Sequence, residues 1–234
     1  KILFNVPKKI IVNSIDFKKE IDSKFKINTL HIYNPLNKDV VKKMSKTKVK
    51  FKFFKNADLK IINVARFTDQ KDHFTLLKSI NILTKKKVNL KLLIIGYGPN
   101  MDKMKYFIKK NKLEKYVKIS NFKKNPFKFI KYSNLFILSS IYEGLPNVLL
   151  EAICLKKFII SSNCPTGPRE ILKNGKLGML FAPKNEKSLA NKILKFKSNK
   201  KKYKKMSVKA YNSLDRFDYE YNCEKYYNVI FKYI

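Results

Sequence analysis

The sequence predicts a doubly wound α/β domain, in which helices cover both faces of a parallel β-sheet. Three observations lead to this prediction. From Asn63 to about Asn199, short β-rich runs alternate with longer stretches of helical apolar spacing, as in a parallel sheet with crossover helices. Hydrophobic residues make up 44% of the 234 residues, which is enough for a core. Glycine, proline and asparagine mark the turns between the runs.

Each strand is expected where a short apolar run is bounded by turn residues. The run from Val88 ends at Gly96, and the run from Tyr132 ends at Leu138, directly before two serines. The predicted strands are residues 59–65, 88–96, 117–119, 132–138, 157–161 and 178–181.

Helices are expected where apolar residues recur at intervals of three and four. Between Asp72 and Leu83, for example, Phe74, Leu77 and Ile80 have this spacing. The predicted helices are residues 72–83, 100–110 and 126–131, a short helix after Pro146, a helix that begins at Pro168 with Thr166 as candidate N-cap, and residues 185–196.

The two ends of the chain depart from this pattern. Strand-like runs occur at Ile10–Ser14 and Thr29–Pro35, and the charge-rich stretch Val40–Asn56 is interpreted as a linker or exposed segment. The stretch after Ser198 is predicted to be helical and very basic, with an aromatic face that docks on a larger body. Its aromatic residues are Phe217, Tyr219, Tyr221, Tyr226, Tyr227, Phe231 and Tyr233.

A formal net charge of +36 would fit a nucleic-acid partner. However, the 53 basic residues comprise 50 Lys and only 3 Arg, whereas proteins that read phosphates and bases rely on the planar fork of Arg. Asn, Ile, Phe and Tyr are abundant while Ala and Gly number 6 each, which is the bias of an AT-rich genome. We therefore expect no specific nucleic-acid partner. An anionic membrane surface stays open as a weaker partner.

Cysteine and histidine usage excludes several classes of site. Cys154, Cys164 and Cys223 are scattered and odd in number, so neither a disulfide framework nor a zinc site is predicted. Free thiols fit a reducing cytosol. The two histidines, His31 and His73, have no motif typical of a Ser-His-Asp enzyme beside them. The sequence contains no run of 18 apolar residues, so no transmembrane helix is predicted. We expect a cytoplasmic protein.

Charged and glycine-containing loops follow the predicted strands, at the sheet edge where open parallel sheets bind ligands. Arg66 and Lys71 offer two cations to a diphosphate. Gly96 and Gly98 allow a backbone to approach a ligand closely, and Phe122 adjoins backbone groups suited to a flat base. Each feature alone is more often an ordinary surface loop or a tight turn.

Two glutamates eight positions apart, Glu143 and Glu151, are the most informative pair. Glu143 lies in a strand-to-helix loop, and Glu151 lies about one turn inside the helix that follows Pro146. Free backbone amides near Asn147 and Val148 would bind phosphate at the helix start. Two loop glutamates are usually surface residues, but here they adjoin groups that suit a sugar, a ribose and a diphosphate.

In this order and spacing, the motifs resemble the donor-binding domain of family 4 glycosyltransferases, the retaining enzymes with two Rossmann-like domains (GT-B fold). The resemblance covers about residues 58–198 and is most specific from Ser139 to Ala152, which contains the E-x7-E spacing. Ala65 and Asn121 stand where the family usually has glycine. Supporting matches are Val64–Phe67 with Gln70–Lys71, Gly96–Pro99, Asn121–Pro126 and Cys164–Glu170.

The resemblance implies a role for each site residue. Arg66 and Lys71 would neutralise the donor diphosphate, Glu151 would bind the nucleotide ribose, and Glu143 would be the catalytic residue beside the donor sugar. No metal or other cofactor is implied, because the two cations and the helix amides carry the positive charge. The remaining implied donor-binding residues are Gly96, Gly98, Phe122, Gly144, Leu145, Pro146, Asn147 and Val148.

The resemblance also implies a division of the chain. Residues 1–56 would be the tail of an N-terminal acceptor domain with the interdomain linker, and residues 57–198 the nucleotide-sugar-binding domain. Residues 199–234 would be helices that cross back toward the N-terminal domain. The chain is therefore interpreted as a fragment that binds a donor but transfers it poorly on its own.

The implied function is transfer of a hexose-type sugar, with retention, from a UDP- or GDP-sugar to a glycan or lipid-linked acceptor. Such a reaction serves cell-surface polysaccharide or lipopolysaccharide synthesis, at the inner face of the plasma membrane. Two alternatives stay open. One is a non-catalytic nucleotide-sugar-binding module, and the other is a basic membrane- or RNA-binding protein.

Overall fold

The computed structural model describes residues 7–48 and 51–233. Two short parallel strands pair first along the chain, β1 (Ile11–Val12) and β2 (Leu30–His31). A six-stranded sheet follows, and all of its neighbouring strands are parallel. Its strands are β3 (Leu59–Val64), β4 (Leu90–Gly96), β5 (Val117–Asn121), β6 (Leu135–Leu138), β7 (Phe158–Ser162) and β8 (Met179–Phe181).

The strands of the large sheet lie in the order β5-β4-β3-β6-β7-β8. The chain therefore winds outward from β3 in one direction and then outward from β6 in the other. This is the doubly wound Rossmann order, with its reversal between β3 and β6. The predicted fold class is confirmed, and each predicted strand of this sheet is present with ends shifted by up to three residues.

The helices begin and end close to the predicted positions. Asp72 starts the helix after β3, because its carboxylate accepts a hydrogen bond from Thr75 N at 3.1 Å. Within residues 7–48 and 51–233, none of the helices combines the length and the hydrophobicity of a membrane-spanning segment. The helices are α1 (Ile15–Phe25), α2 (Lys38–Ser45), α3 (His73–Lys85), α4 (Met101–Lys110), α5 (Phe127–Tyr132), α6 (Asn147–Cys154), α7 (Pro168–Ile171), α8 (Glu186–Ser198), α9 (Lys200–Asn212) and α10 (Tyr219–Tyr233).

Two hydrophobic clusters form the core, one on each face of the sheet. Successive strand residues alternate between them, as the two-residue period of a strand requires. In β3, Ile61 packs with the cluster that includes Leu76 of α3, whereas Ile62 packs with the cluster that includes Leu149 of α6. All four side chains are fully buried. Burial on both faces explains why the strands are continuous apolar runs.

The stretch Val40–Asn56, predicted to be a linker or exposed segment, is exposed at 8 of its 15 described residues and packs on the domain at the others. Val41 in α2 and Phe54 are 5% and 3% exposed and belong to the cluster on the α6 face. Phe51 packs on Phe129 of α5 with ring centroids 5.4 Å apart. The apolar residues between the lysines cover the body of the domain, while exposed lysines such as Lys46 remain in solvent. Residues 49 and 50 lie outside the described ranges.

The two C-terminal helices pack differently. In α9, Tyr203 contacts Phe158 and Phe196, with ring centroids 4.8 and 5.9 Å away. In α10, Asn222 is the one residue classed as buried, and Tyr227 and Phe231 are 58% and 67% exposed. Within the described ranges, much of the aromatic face predicted to dock is therefore exposed.

Candidate active site

The candidate site lies where the strand order reverses, beyond the carboxyl ends of β3 and β6. Crossover helices leave to opposite faces of the sheet there, which opens a crevice between the two following loops. These two loops are connected by hydrogen bonds. Ile141 N donates to Gln70 O at 2.8 Å, and Gln70 Nε2 donates to Tyr142 O at 3.0 Å. The fold therefore brings the cationic loop after β3 against the loop that carries Glu143.

Glu143 and Lys71 form an ion pair in this crevice. Lys71 Nζ lies 2.6 Å from Glu143 Oε1, and the side chains are 15% and 6% exposed. Ser140 Oγ donates to the same carboxylate oxygen at 2.5 Å. Ser139 Oγ donates to the Lys71 carbonyl at 2.9 Å. Because the pair is largely desolvated, its attraction is less screened than that of a surface pair.

The turn before α7 contacts the Glu143 loop and stabilises it. Thr166 Oγ1 donates to the carbonyl of Glu143, so the prediction of Thr166 as an N-cap is wrong. The N-cap is Gly167 at φ +50°, and α7 does begin at Pro168. A Cβ on Gly167 would collide with the carbonyl oxygen of Gly144. Thr166 does not cap α7, because its hydroxyl forms a hydrogen bond with the Glu143 loop instead.

Residues 144–148 lead from Glu143 into α6. Leu145 and Pro146 are buried and hold the loop on the domain, whereas Gly144 and Asn147 are exposed. Within the described ranges, the backbone amides of Asn147 and Val148 have no backbone or side-chain acceptor. Such amides at a helix start attract anions, since the positive end of the helix dipole lies there.

A cavity of about 450 Å³ continues the crevice along the carboxyl ends of β3, β4 and β5. Four of the predicted donor-binding residues share its wall: Arg66, Gly96, Phe122 and Glu151. Tyr97 also lines it, and its ring lies edge-on to Phe122 with centroids 5.9 Å apart. The two rings are 57% and 63% exposed, so a flat ligand can reach them.

Glu151 enters the cavity from the fifth position of α6, as the sequence predicts. Burial raises the pKa of this carboxyl to about 7. No donor in the described part of the chain forms a hydrogen bond with its side chain. A carboxylate that is buried without donors is costly, so this position favours a ligand that brings its own hydroxyl donors.

The two predicted cations lie in different surroundings. Arg66 is exposed on the cavity wall and has no ion-pair partner in the ranges 7–48 and 51–233. Lys71 is half-buried and already paired with Glu143. Lys71 therefore pairs with Glu143, whereas Arg66 lines the same cavity as Glu151.

Gly96 and Gly98 are required by packing within the protein. A Cβ on Gly96 would collide with the carbonyl of Ala65, and one on Gly98 would lie 2.6 Å from the Phe67 carbonyl oxygen. Phe67 is fully buried, and its amide donates to Tyr97 O at 2.7 Å. These glycines therefore let the loop after β4 lie on the loop after β3, which forms one wall of the cavity.

The family model for glycosyl transferases group 1 matches residues 45–213 of the sequence. The chain belongs to this family. A group 1 glycosyltransferase domain agrees with both the sheet order and the crevice described above.

Two relatives illustrate the sequence similarity of this group 1 glycosyltransferase. An uncharacterized glycosyltransferase of Methanocaldococcus jannaschii is 39% identical over 169 residues, which are 70% of this chain and 41% of that protein. The N-acetylgalactosamine-N,N'-diacetylbacillosaminyl-diphospho-undecaprenol 4-alpha-N-acetylgalactosaminyltransferase of Campylobacter jejuni is 29% identical over 158 residues, 68% of this chain and 42% of that protein. The chain thus matches about two fifths of the length of these relatives.

Solved glycosyltransferase structures share the fold. A glycosyltransferase from Rickettsia africae superposes with a TM-score of 0.83 at 22% identity, over 95% of this chain and 62% of that one. HepE of Anabaena, solved with UDP and glucose, gives a TM-score of 0.84 at 18% identity, over 96% of this chain and 63% of that one. At such identities the likeness establishes the fold of the group 1 glycosyltransferase.

Sequence reasoning missed three polar residues around the site. Ser140 donates to Glu143, and Asn34 Nδ2 donates to Leu145 O at 3.3 Å and to Asn147 Oδ1 at 2.7 Å. Asn13 faces Gly144. Ser140 had a sequence signal, since it lies three residues before Glu143 at the end of a strand. The two asparagines had none, because they reach the candidate site through tertiary packing.

Proposed function

We propose that this chain is the donor-binding half of a retaining GT-B glycosyltransferase of family 4. It binds a UDP- or GDP-sugar in the crevice between β3 and β6. In the full-length protein, the hexose-type sugar passes to a glycan or lipid-linked acceptor. The observation that carries this proposal is the meeting of Lys71 with Glu143 at the switch point, next to the cavity that Glu151 enters.

The cavity chemistry supports a nucleoside diphosphate as ligand. Tyr97 and Phe122 offer exposed aromatic edges to a base. Glu151 accepts the ribose hydroxyls, which satisfy a carboxylate that otherwise lacks donors in the described ranges. The diphosphate lies between Arg66 and the free amides at the start of α6, because both attract negative charge.

The proposed chemistry depends on charge separation. When the bond to the diphosphate breaks with retention, positive charge develops on the sugar ring and negative charge on the leaving diphosphate. Glu143 lies beside the sugar and stabilises the positive charge, while Arg66 and Lys71 with the α6 amides stabilise the diphosphate. These groups supply the positive charge, and the reaction as proposed uses no metal.

The printed names of similar proteins support the donor and acceptor classes. HepE of Anabaena was solved with UDP and glucose and also with UDP-glucose. The Campylobacter jejuni relative is named for a diphospho-undecaprenol acceptor, and a Salmonella typhimurium relative, 33% identical over 94 residues, is a lipopolysaccharide 1,6-galactosyltransferase. Both names fit a role in cell-surface polysaccharide or lipopolysaccharide synthesis.

We infer the division of labour along the chain from the same evidence. Residues 57–198 bind the donor, residues 1–56 are the tail of an acceptor-binding domain with its linker, and residues 199–234 cross back toward that domain. The matches to only about two fifths of the relatives' length support this division. The packing of α2 on α5 and α6 fixes the linker against the donor half.

We also infer a cytoplasmic protein that attaches to the inner face of the plasma membrane. The exposed face of α9 supports attachment to anionic lipid. From Glu186 to Asp215 the intervening sequence contains ten lysines and no acidic residue, and Lys201, Lys202 and Lys205 are exposed on α9.

The test of the enzymatic proposal is the Glu143→Gln variant of the full-length protein. Incorporation of labelled sugar from UDP- and GDP-sugars into the lipid and polysaccharide fractions of the source cells should fall at least ~100-fold, because a neutral amide stabilises the developing charge poorly. Affinity for the donor should stay within about threefold. The amide is chosen over alanine because it keeps a partner for Ser140 and Lys71.

Glu114→Ala is the matched control, since Glu114 is an exposed acid outside the site. Wild-type incorporation by Glu143→Gln would refute the catalytic assignment. Donor binding by the wild-type protein without any incorporation would instead favour a non-catalytic nucleotide-sugar-binding module.

A further inference from the structure

The N-terminal segment places the side-chain amide of Asn13 against the Glu143 loop. A Cβ built on Gly144 would lie 3.5 Å from Asn13 Oδ1 and 4.0 Å from Asn13 Nδ2. Asn13 is half-exposed, and its side chain has no hydrogen-bond partner among residues 7–48 and 51–233. The amide therefore borders the crevice with both its donor and its acceptor available.

Glu170 of α7 fixes the chain directly after Asn13. The carboxylate accepts hydrogen bonds from Ser14 Oγ at 2.7 Å and from the amides of Ile15 and Asp16 at 3.1 and 3.3 Å. Tyr33 donates to it at 2.6 Å. Burial alone would raise the pKa of Glu170, but the hydrogen bonds from these groups lower it below its usual value. A charged acceptor thus holds the start of α1 on the donor half.

The same α7 segment is tied to Glu143. Thr166 donates to the Glu143 carbonyl, and Gly167 packs on the backbone of Gly144. Because Glu170 and Thr166 lie within one short turn and helix, Asn13 and the Glu143 loop are held in one fixed arrangement.

Gly144 leaves open the space that a ligand would need. It does not have a positive φ, and a Cβ there would make only ordinary contacts at 3.5 Å or more. Neither backbone conformation nor packing therefore requires glycine at this position. An open approach beside Glu143 does require a residue without a side chain.

We propose that Asn13 contacts the transferred sugar and helps to select it. This rests on the proposed function, and it adds a donor contact from the N-terminal segment to the site. An amide both donates to and accepts from hydroxyl groups, which suits a sugar. In the proposed binding mode the phosphates face Arg66 and the α6 amides, whereas Gly144 adjoins Glu143 on the sugar side.

The test compares Asn13→Ala with the wild type in the full-length enzyme. Affinities for UDP and for UDP-glucose, UDP-galactose and UDP-N-acetylglucosamine are measured by calorimetry, together with kcat and KM for incorporation. Loss of one hydrogen bond should lower the kcat/KM of the preferred donor about tenfold. Affinity for UDP, which has no sugar, should stay within about twofold. Asn28→Ala is the control, because Asn28 lies at the far end of α1 and contacts Lys18.

A second variant tests the assignment independently, in case Asn13→Ala fails to fold. Gly144→Ala places a methyl group 3.5 Å from Asn13 Oδ1, in the space proposed for the sugar, so it should lower kcat/KM without changing UDP affinity. Unchanged kcat/KM and unchanged donor preference in both variants would overturn the assignment. An equal loss of UDP and UDP-sugar affinity would also overturn it. If the wild type binds neither UDP nor GDP and none of their sugar derivatives, the proposed function fails first, and the Asn13 assignment falls with it.

Discussion

At the scale of single residues, we propose that the charge of Glu151 governs donor binding. Burial raises its pKa to about 7, so it changes charge near neutral pH. The unfolded chain releases this proton near its usual pKa of 4.5, whereas the folded chain keeps it to about pH 7. Raising the pH from about 4.5 to 7 therefore lowers the free energy of unfolding through this group, and above pH 7 this contribution decreases no further.

Ligand binding should respond in the opposite direction. Ribose hydroxyls donate to a carboxylate, so the ionised form of Glu151 binds them and the protonated form binds them less well. Between pH 6 and pH 8 the ionised fraction rises from about a tenth to about nine tenths. Affinity for UDP-glucose, measured by calorimetry, should therefore increase about tenfold over this range. UDP-glucose is preferred to UDP because its diphosphate does not titrate there.

Glu151→Gln provides the control for this pH profile. It should bind UDP-glucose more weakly and with little pH dependence, because the titrating group is gone. An unchanged slope in the variant would assign the pH dependence to another group. A flat wild-type profile would contradict the role of Glu151 at the ribose.

His73 shows why a histidine near the crevice is not a catalytic base. Burial lowers its pKa to about 4, so it is a weak proton acceptor at physiological pH. Its Nε2 lies 3.1 Å from Asn63 Oδ1, and its ring packs edge-on against Phe67 at 5.3 Å. The residue supports the loop after β3 from inside the core.

At the scale of elements, the sequence was most informative where burial fixes the pattern. β3, β4 and β7 are buried almost throughout, so their apolar runs could be recognised directly. Asp72 and Pro168 marked the starts of α3 and α7 correctly. The position of Glu151 followed from helical spacing after Pro146.

Elements whose roles depend on distant partners could not be predicted. The lysine-rich stretch around α2 looked exposed, because Val41 and Phe54 gain their burial from α5 and α6. Thr166 had the chemistry of an N-cap, yet a carbonyl from another loop takes its hydroxyl. The contact of Lys71 with Glu143 spans 72 residues of sequence and arises from the sheet order alone.

Helix α9 is the element that should mediate membrane attachment. Each lysine near an anionic surface contributes about 1 kcal/mol. Lys201→Glu, Lys202→Glu and Lys205→Glu combined should therefore weaken binding of the full-length protein to vesicles of phosphatidylglycerol and phosphatidylcholine about 100-fold or more, measured by cosedimentation. Neutral phosphatidylcholine vesicles should bind neither protein.

The matched control carries the same substitutions at Lys103, Lys109 and Lys110 on α4, which are also exposed. An equal loss in this control would show that net charge, and not the α9 face, causes binding. Salt-sensitive binding of RNA in place of anionic vesicles would favour the basic RNA-binding alternative.

At the scale of the whole molecule, the sheet order explains where function lies. The reversal between β3 and β6 creates the crevice, and loops distant in sequence converge on it. The N-terminal segment adds Asn13 and Asn34 to the rim through α1 and the Glu170 contacts. The overall charge of +36 fits the proposed ligands, because a positively charged protein attracts both anionic nucleotide sugars and anionic lipid surfaces.

Crystal structures of the protein with UDP and with GDP would show where the nucleotide binds. We expect the ribose hydroxyls within about 3.2 Å of the Glu151 carboxylate, the diphosphate at Arg66 and the start of α6, and the base beside Tyr97 and Phe122. Ordered UDP elsewhere, for example in the lysine-lined cavity formed by Lys157, Lys200 and Lys204, would contradict it. So would a crevice that stays empty at saturating UDP and at saturating GDP.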